Sequence, residues 1–379
     1  MNAYTLANAA IVGPDRVFAG WVRVEDGLIV DVQAKTTTDL QALDMEGDFL
    51  LPGLVEPHTD HLESTMVPRP GVLWPTAVSS LMAHDAQMVC SGVTTVLNAL
   101  CCGQFHESSL RHVILGRCVE ALGSAKVQKV LRAEHYMHLR CELADPQMPS
   151  FFEPHAKDDL VRLVSLMDHT PGQRQFSDPK AYRDFFRGKT RWTDKEFEAA
   201  LPGLIEDQRR YAVNHKDQVV SHCRGRAIPM ASHDDATVDH VDQAKTDGVS
   251  ICEFPTTVAA ARRAREKGLS ILMGSPNVVR GGSHTGNISA LELAELGLLD
   301  MLSSDYAPMS LLHGVFVLHE NGLPLPRAVA MASATPAKVL GFNDRGNIEP
   351  GKRADLLRVS RVCGVPVVRG VWRSGWRLV

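Results

Sequence analysis

Along the first fifty residues, apolar and polar positions alternate in short runs. YTLANAAIV and GWVRVEDGLIVDV follow the period of two of half-buried strands, and Asp26-Gly27 supplies a two-residue hairpin turn. The far end has the same texture: DLLRVS and PVVRGVWRSGWRLV are strand-rich with little helical periodicity. The two ends therefore predict a small β-sandwich built jointly from residues 1–52 and 341–379. Between them, over 53–340, apolar runs alternate with amphipathic ones. GLVEPHTD, GVTTVLNAL, AEHYMHLRCE, VRLVSLMDH, PMASHDD, SICEFPTT, SILMGSPN and DMLSSDY read as strands. LRHVILGRCVEALG, TVAAARRAREKG and ALELAELGLL read as helices between them. Eight such units predict an α/β fold, a (β/α)8 barrel. Seven of the eight strands end in ionisable or small polar side chains, on the face where such barrels place their active sites. A polar stretch over 171–218, after the fourth strand, predicts an inserted helical lid or a partner surface.

Composition narrows function by exclusion. The 379 residues are 44% hydrophobic and 22% charged, with a net charge of −4, which argues against nucleic acid or an anionic membrane as partner. An anionic substrate must then be held by locally placed cations, a metal or backbone N–H groups. No apolar run reaches the roughly 18 residues of a membrane-crossing helix. The first residues lack the basic start and apolar segment of a secretion signal. The eight cysteines are scattered without a CxxC pair, so reduced thiols and a cytoplasmic location are expected.

The chemistry concentrates at strand ends. In LLPGLVEPHTDHLE, residues 50–63, a buried strand runs into His58, Asp60, His61 and Glu63. Residues two apart on a strand share a face, so His58 and Asp60 can reach one ion together. Glu142, His169, His233 and Asp305 close other strands and complete a candidate metal set, with Glu142 as a carboxylate bridging two ions. The blander alternatives are specific. Glu142 could pair with Arg140, His169 could cap its loop, and Asp234 or Asp235 could cap a helix. His61, His135 and His138 read as groups in the core or behind the ligands. A second constellation, NVVRGGSHTGN, places Arg280, Gly281, Gly282, Ser283 and His284 after the seventh strand. Its amides and guanidinium suit an oxyanion, unless the segment is only a surface turn. Arg140 and Arg174 are candidates to complete the anion pocket. No GxxxxGK[ST] and no GxSxG occurs, which speaks against a P-loop protein and a serine hydrolase.

The start of the chain (VEDGLIVDV, LPGLVEPHTD) and its end (NIEPGKRADLLRV) resemble the amidohydrolase superfamily. More closely, HTDHLE, PRPGVLWP, RAEHYMHLRCEL, SHDDAT, EFPTT, LMGSPNVVRGGSHTGN and LGLLDMLSSDYAP resemble the PhnM family of that superfamily. These are diphosphatases of the carbon–phosphorus lyase pathway. The resemblance implies a metal-dependent barrel with a terminal sandwich, and hydrolysis of a triphosphorylated ribose methylphosphonate to its 5-phosphate and pyrophosphate. It implies two divalent ions, Mn2+ or Zn2+, held by His58, Asp60, Glu142, His169, His233 and Asp305. Asp305 would move the proton, and the Arg280 loop would meet the leaving group. Where most of the superfamily has His-x-His, this chain has His58-x-Asp60, which favours a harder ion such as Mn2+. A homodimer and association with other proteins of the pathway are compatible expectations. The rival readings are an amidohydrolase acting on a cyclic amide or aminated base, and a non-catalytic barrel used as a scaffold.

Overall fold

The computed structural model describes residues 3–103, 110–174, 183, 193–283 and 286–379. Its first strands are β1 (Ala3–Val12), β2 (Val17–Glu25), β3 (Leu28–Gln33), β4 (Leu43–Asp44) and β5 (Phe49–Pro52). The predicted turn between β2 and β3 forms: Asp26 and Gly27 both have positive φ, 48° and 84°, as a two-residue hairpin following the strand twist requires. The barrel strands are β6 (Leu54–Thr59), β7 (Val93–Cys102), β8 (Glu134–Glu142), β9 (Val161–Met167), β10 (Met230–His233), β11 (Ile251–Glu253), β12 (Ser270–Gly274) and β13 (Met301–Ser303). The chain ends in β14 (Leu356–Val362), β15 (Val365–Arg373) and β16 (Trp376–Arg377).

All eight strands expected in the middle of the chain are present, parallel and in sequential order. Burial on both faces explains their near-continuous apolar runs; every residue of β6 and β7 is buried. The sheet closes where β13 meets β6. There Asp305 N–H donates to the His58 carbonyl and Asp60 N–H to the Asp305 carbonyl, each at 3.2 Å. Closure thus brings the first and last strand ends together although 246 residues separate Thr59 from Asp305.

The terminal strands form one mixed sheet, ordered β16-β15-β14-β5-β1-β2-β3 with β4 beside β1. It folds over a small core of its own that includes Leu6, Ile11, Val22, Ile29, Leu50 and Trp372. The molecule is a (β/α)8 barrel carrying a small β-sandwich made from both termini. The polar stretch after β9 leads into a helix, Asp194–Arg226, which starts at a Thr193–Glu196 capping box. That helix lies against the barrel through His215 Nδ1 and the Leu143 carbonyl (3.0 Å) and through Gln208 and Asp168 (3.1 Å). The part of the expected lid at 175–182 and 184–192 lies outside the described residues. No helix among the described residues is long and apolar enough to cross a membrane.

Candidate metal centre

Five strand ends converge on a buried cluster of imidazoles and carboxylates. Glu253, the last residue of β11, is the register partner of His233 at the end of β10. Its Oε2 lies 2.7 Å from His233 Nδ1 and its Oε1 lies 2.7 Å from His58 Nδ1. Glu142, at the end of β8, does the same for His169: Oε2 lies 2.6 Å from Nδ1 and Oε1 accepts the His169 N–H at 2.9 Å. An ionised carboxylate only accepts, so each Nδ1 carries a proton and donates it. Each Nε2 of the three rings is then left facing away as a lone pair. Phe254 packs edge-on against both the His58 and His233 rings, at 5.0 and 5.4 Å between centroids, and restrains their tilt. One carboxylate behind an imidazole is the arrangement that orients a metal-binding histidine. Here two carboxylates orient three.

The Nε2 atoms of His169 and His233 converge on Asp234 Oδ2, at 3.5 and 3.4 Å. Ligand atoms about 2.1 Å from a tetrahedral ion stand roughly 3.4 Å apart, so these three fit a single cation. Asp234 Oδ2 is buried without a hydrogen-bond partner among the described residues, a costly state for a carboxylate oxygen that no ion offsets. Asp234 also has φ of +58°, a conformation non-glycine residues adopt at some cost and which gathers at functional sites. The field at this point is cation-seeking. Burial alone would lower His169, yet Glu142 on one side and Asp234 on the other raise it to about 9.

A second trio, His58, His138 and Glu253, also places its polar atoms close together. At 2.7 Å the His58–Glu253 contact is a hydrogen bond, shorter than the spacing of two ligands on one ion. His138 Nδ1–H donates to the Pro57 carbonyl (3.1 Å), and its Nε2 meets Ser165 Oγ at 2.5 Å. Burial, together with the nearby His58 and Arg140, pushes His138 down to about 3 and keeps it neutral. This trio is a support for the cluster.

Asp60 and Asp305 stand beside it at the barrel seam. Asp60 Oδ1 is buried with no hydrogen-bond partner among the described residues. Burial, and then the charge of Asp60, raise the Asp305 carboxyl to about 6 against the pull of His58 and Arg140. Glu56, buried beneath them, clamps the seam: Oε1 accepts the His58 N–H (2.8 Å) and Oε2 the Ser304 N–H (2.7 Å). Burial raises Glu56 to about 7.

The sequence-derived residues fall into three groups. His58, Asp60, His169, His233 and Asp305 are brought to one mouth. Glu142 is there too, but as the group that holds His169; both its oxygens face that residue instead of bridging two ions. The anion residues divide differently. Arg140 is half-buried at the mouth within electrostatic range of Asp60, Glu63 and Glu253, and its Nε has no hydrogen-bond partner among the described residues. Arg174 is instead engaged through Nη1 with Asp235 (2.5 Å) and the His233 carbonyl (2.7 Å), buttressing β10. The glycine pair is not an anion cradle. Gly281 N–H donates to the Val278 carbonyl (3.1 Å) and Gly282 N–H to that of Asn277 (2.9 Å). With Gly281 at φ +78°, these bonds finish the helix Ser275–Arg280. Arg280 is exposed and Ser283 half-buried, while His284 lies outside the described residues.

Reading along the chain missed Asp234, Glu253 and Glu56 as working groups. Glu253 had a signal, a carboxylate closing an apolar strand, but its role depends on which two imidazoles flank it. A polar chain beside the site was missed as well. Asn98 Nδ2 donates to the Tyr136 carbonyl (2.8 Å), an acceptor only, which fixes the orientation of the amide. Asn98 Oδ1 therefore accepts from His84 Nε2 (2.9 Å), and His84 Nδ1 from His61 Nδ1 (2.8 Å). On the other side Asn98 Nδ2 meets His135 Nδ1 (3.3 Å), and His135 Nε2 donates to Asp85 (3.2 Å). His61, next to Asp60, thereby keeps its proton on Nδ1 and presents Nε2 as a lone pair.

Comparison with known proteins accords with this geometry. Residues 218–377 match the amidohydrolase family. Over 374 residues the chain is 42% identical to alpha-D-ribose 1-methylphosphonate 5-triphosphate diphosphatase of Escherichia coli strain K12, covering 98% of this chain and 99% of that one. The fold is shared with N-acetylglucosamine-6-phosphate deacetylase from Pasteurella multocida, at TM-score 0.62 and 14% identity over 99% of both chains. It is shared also with 5-methylcytosine deaminase from Klebsiella pneumoniae, at TM-score 0.67 and 13% identity over 99% of this chain and 97% of that one.

Proposed function

The chain belongs to the same family as the Escherichia coli diphosphatase, within the amidohydrolases, and we propose that it catalyses that protein's reaction. Water cleaves alpha-D-ribose 1-methylphosphonate 5-triphosphate to the 5-phosphate and pyrophosphate. The observation that carries this reading is identity of 42% extending over 98% of the chain, so that mouth, seam and sandwich are all covered.

The donor set fits divalent metal: three imidazole lone pairs, one orphaned carboxylate between two of them, and a second at the seam. His169, His233 and Asp234 would hold one ion, and His58, Asp60 and Asp305 a second, Mn2+ or Zn2+. Bound there, such ions supply Lewis acidity toward a phosphoryl oxygen and lower the pKa of coordinated water. The chain's own residues do the rest. Glu253 and Glu142 keep the three rings in the tautomer and orientation that binding needs. Asp305, beside Asp60 at the seam, accepts the proton of the attacking water and returns it to the departing phosphate oxygen. Arg140 supplies a fixed positive charge against the polyphosphate, and its low-dielectric surroundings strengthen that attraction. Arg280, exposed at the rim, meets the outer phosphates.

The test is phosphorus NMR of Mn2+-loaded protein with the triphosphate. Pyrophosphate with the 5-monophosphate is expected. Orthophosphate with the 5-diphosphate, or no change from folded, metal-containing protein, would refute the assignment. Arg140→Ala should lower kcat/KM more than Arg280→Ala, since only the former is held at the mouth; the reverse order would move the anion site to the rim. All eight cysteines are free, in keeping with a cytoplasmic enzyme. We place it there as a homodimer able to meet other proteins of its pathway, which sedimentation and co-purification would test.

A further inference from the structure

The hydrolysis leaves unused a feature on the far side of the barrel. A cavity of about 460 Å3 opens between the N-terminal ends of β8 and β9, the end of the helix Arg111–Val127, and the β15–β16 hairpin. Lys126, Lys129, Arg162 and Arg373 line it. Among the described residues none of these four has a carboxylate partner; Arg162 only lies over the Tyr136 and Phe342 rings, at 5.3 and 5.8 Å. The carboxylates of the cavity are already matched elsewhere, Glu134 by Arg345 and Arg353 and Asp159 by Arg226. In a chain of net charge −4, a concave site with four cations that form no ion pair among the described residues is not an average surface. Burial pulls the Arg373 guanidinium below its usual range although Glu134 and Asp355 act the other way; an incoming anion would act with those two carboxylates.

A second cavity, of about 570 Å3, adjoins the first through the shared residues Arg353 and Ser374, and its wall includes Leu28 and Trp376. Those two side chains are 46% and 66% exposed, so a flat apolar surface stands unused beside the charge. Trp376 is the register partner of Arg373 across the β15–β16 hairpin, which puts both side chains on one face of the sheet. Cationic and aromatic ends thus meet in a cleft of the size small ligands use.

We propose that this seam binds a nucleotide, with phosphates among Lys126, Lys129, Arg162 and Arg373 and the base against Trp376 and Leu28. Four cations call for more than one negative charge, which phosphates carry and a lone carboxylate does not. The apolar shelf calls for a flat ring. The site is separate from the imidazole cluster and stands whether or not the hydrolysis assigned above is right.

ADP titrated into the intact protein, followed by calorimetry and tryptophan fluorescence, tests it. Saturable binding is expected, with a fluorescence change that Trp376→Phe removes. Arg373→Glu and Lys129→Glu should each weaken binding by about tenfold or more, while His233→Ala at the opposite end leaves it unaltered. Lys129 is exposed, so its variant carries little risk to folding; an unchanged hydrolysis rate checks the Arg373 variant. Absence of saturable binding up to millimolar ADP would overturn the proposal. So would an affinity that both charge reversals leave intact, or one that His233→Ala abolishes.

Discussion

Glu253 touches no solvent and sits behind the ligands, yet two imidazoles depend on it. A glutamine there keeps one accepting oxygen and gains an N–H that cannot accept, so one of His58 and His233 loses its anchor. Glu253→Gln should therefore reduce metal affinity by about 10–100-fold, the usual effect of removing such a partner, measured by competition with a chelator. Unaltered affinity would make Glu253 a packing residue. Asp305→Asn separates a different role. Its amide cannot carry the proton, so turnover should fall to background while much of the substrate binding persists. Comparable turnover, with metal content checked, would remove Asp305 from the chemistry. Asp305 and Asp234 also share a backbone with positive φ, 53° and 58°, each in the turn just after its strand. That geometry swings the carboxylate over the barrel mouth.

At the end of the helix that follows β12, the Gly-Gly pair shows how one sequence signature serves two purposes. Gly281 takes the left-handed conformation a helix end uses, so Gly281→Ala should cost about 1 kcal/mol, seen as a lower Tm, with kcat/KM unaffected. A large loss of kcat/KM at full stability would restore the pair to the anion site. The helix Ala77–Cys90 and β7 meet through His84 and Asn98, where one amide satisfies two imidazoles and a backbone carbonyl. Asn98→Leu leaves the buried His84 Nε2–H and the Tyr136 carbonyl unpaired. It should destabilise by about 1–3 kcal/mol per group left unpaired, read by urea unfolding. Nitrogen NMR of His61 should lose its single-tautomer signature in the same variant. A His61 still locked on Nδ1–H would show that Asn98 does not set it.

Barrel and sandwich are latched at Glu134. Arg345 and Arg353 each reach its Oε2 at 2.6 Å, and the Tyr136 hydroxyl donates to Oε1 at 2.8 Å. Burial would raise this carboxyl, but the two guanidinium groups outweigh it and hold it at about 2, against an ordinary 4.5. A depressed native pKa means that the unfolded chain takes up the proton first. The stabilisation is fully present above about 4.5 and is lost as pH falls from there toward 2. Unfolding midpoints in urea should therefore drop over that window. Glu134→Gln should be less stable at pH 7 and show a shallower acid slope; an identical slope would place the acid-sensitive contact elsewhere.

The period of the apolar runs is a local property, and local properties are what a chain states directly. Eight buried strands, the Asp26-Gly27 hairpin and the strand-rich ends were all legible because burial and turn sterics act residue by residue. So was the placement of His58, Asp60, His169, His233 and Asp305 at strand ends. What each polar group does was not legible, because it depends on neighbours that only closure of the barrel supplies. Glu142 becomes the holder of His169 across the β8–β9 boundary, and Glu253 the holder of His58 and His233. Arg174 turns inward to Asp235, and the amides of Gly281 and Gly282 are taken by their own helix. Asp234 acquires its place between two imidazoles only when the ends of β9 and β10 lie side by side. Strand ends can be counted along a chain, whereas the lone pair of His58 is aimed by Glu253, 195 residues away.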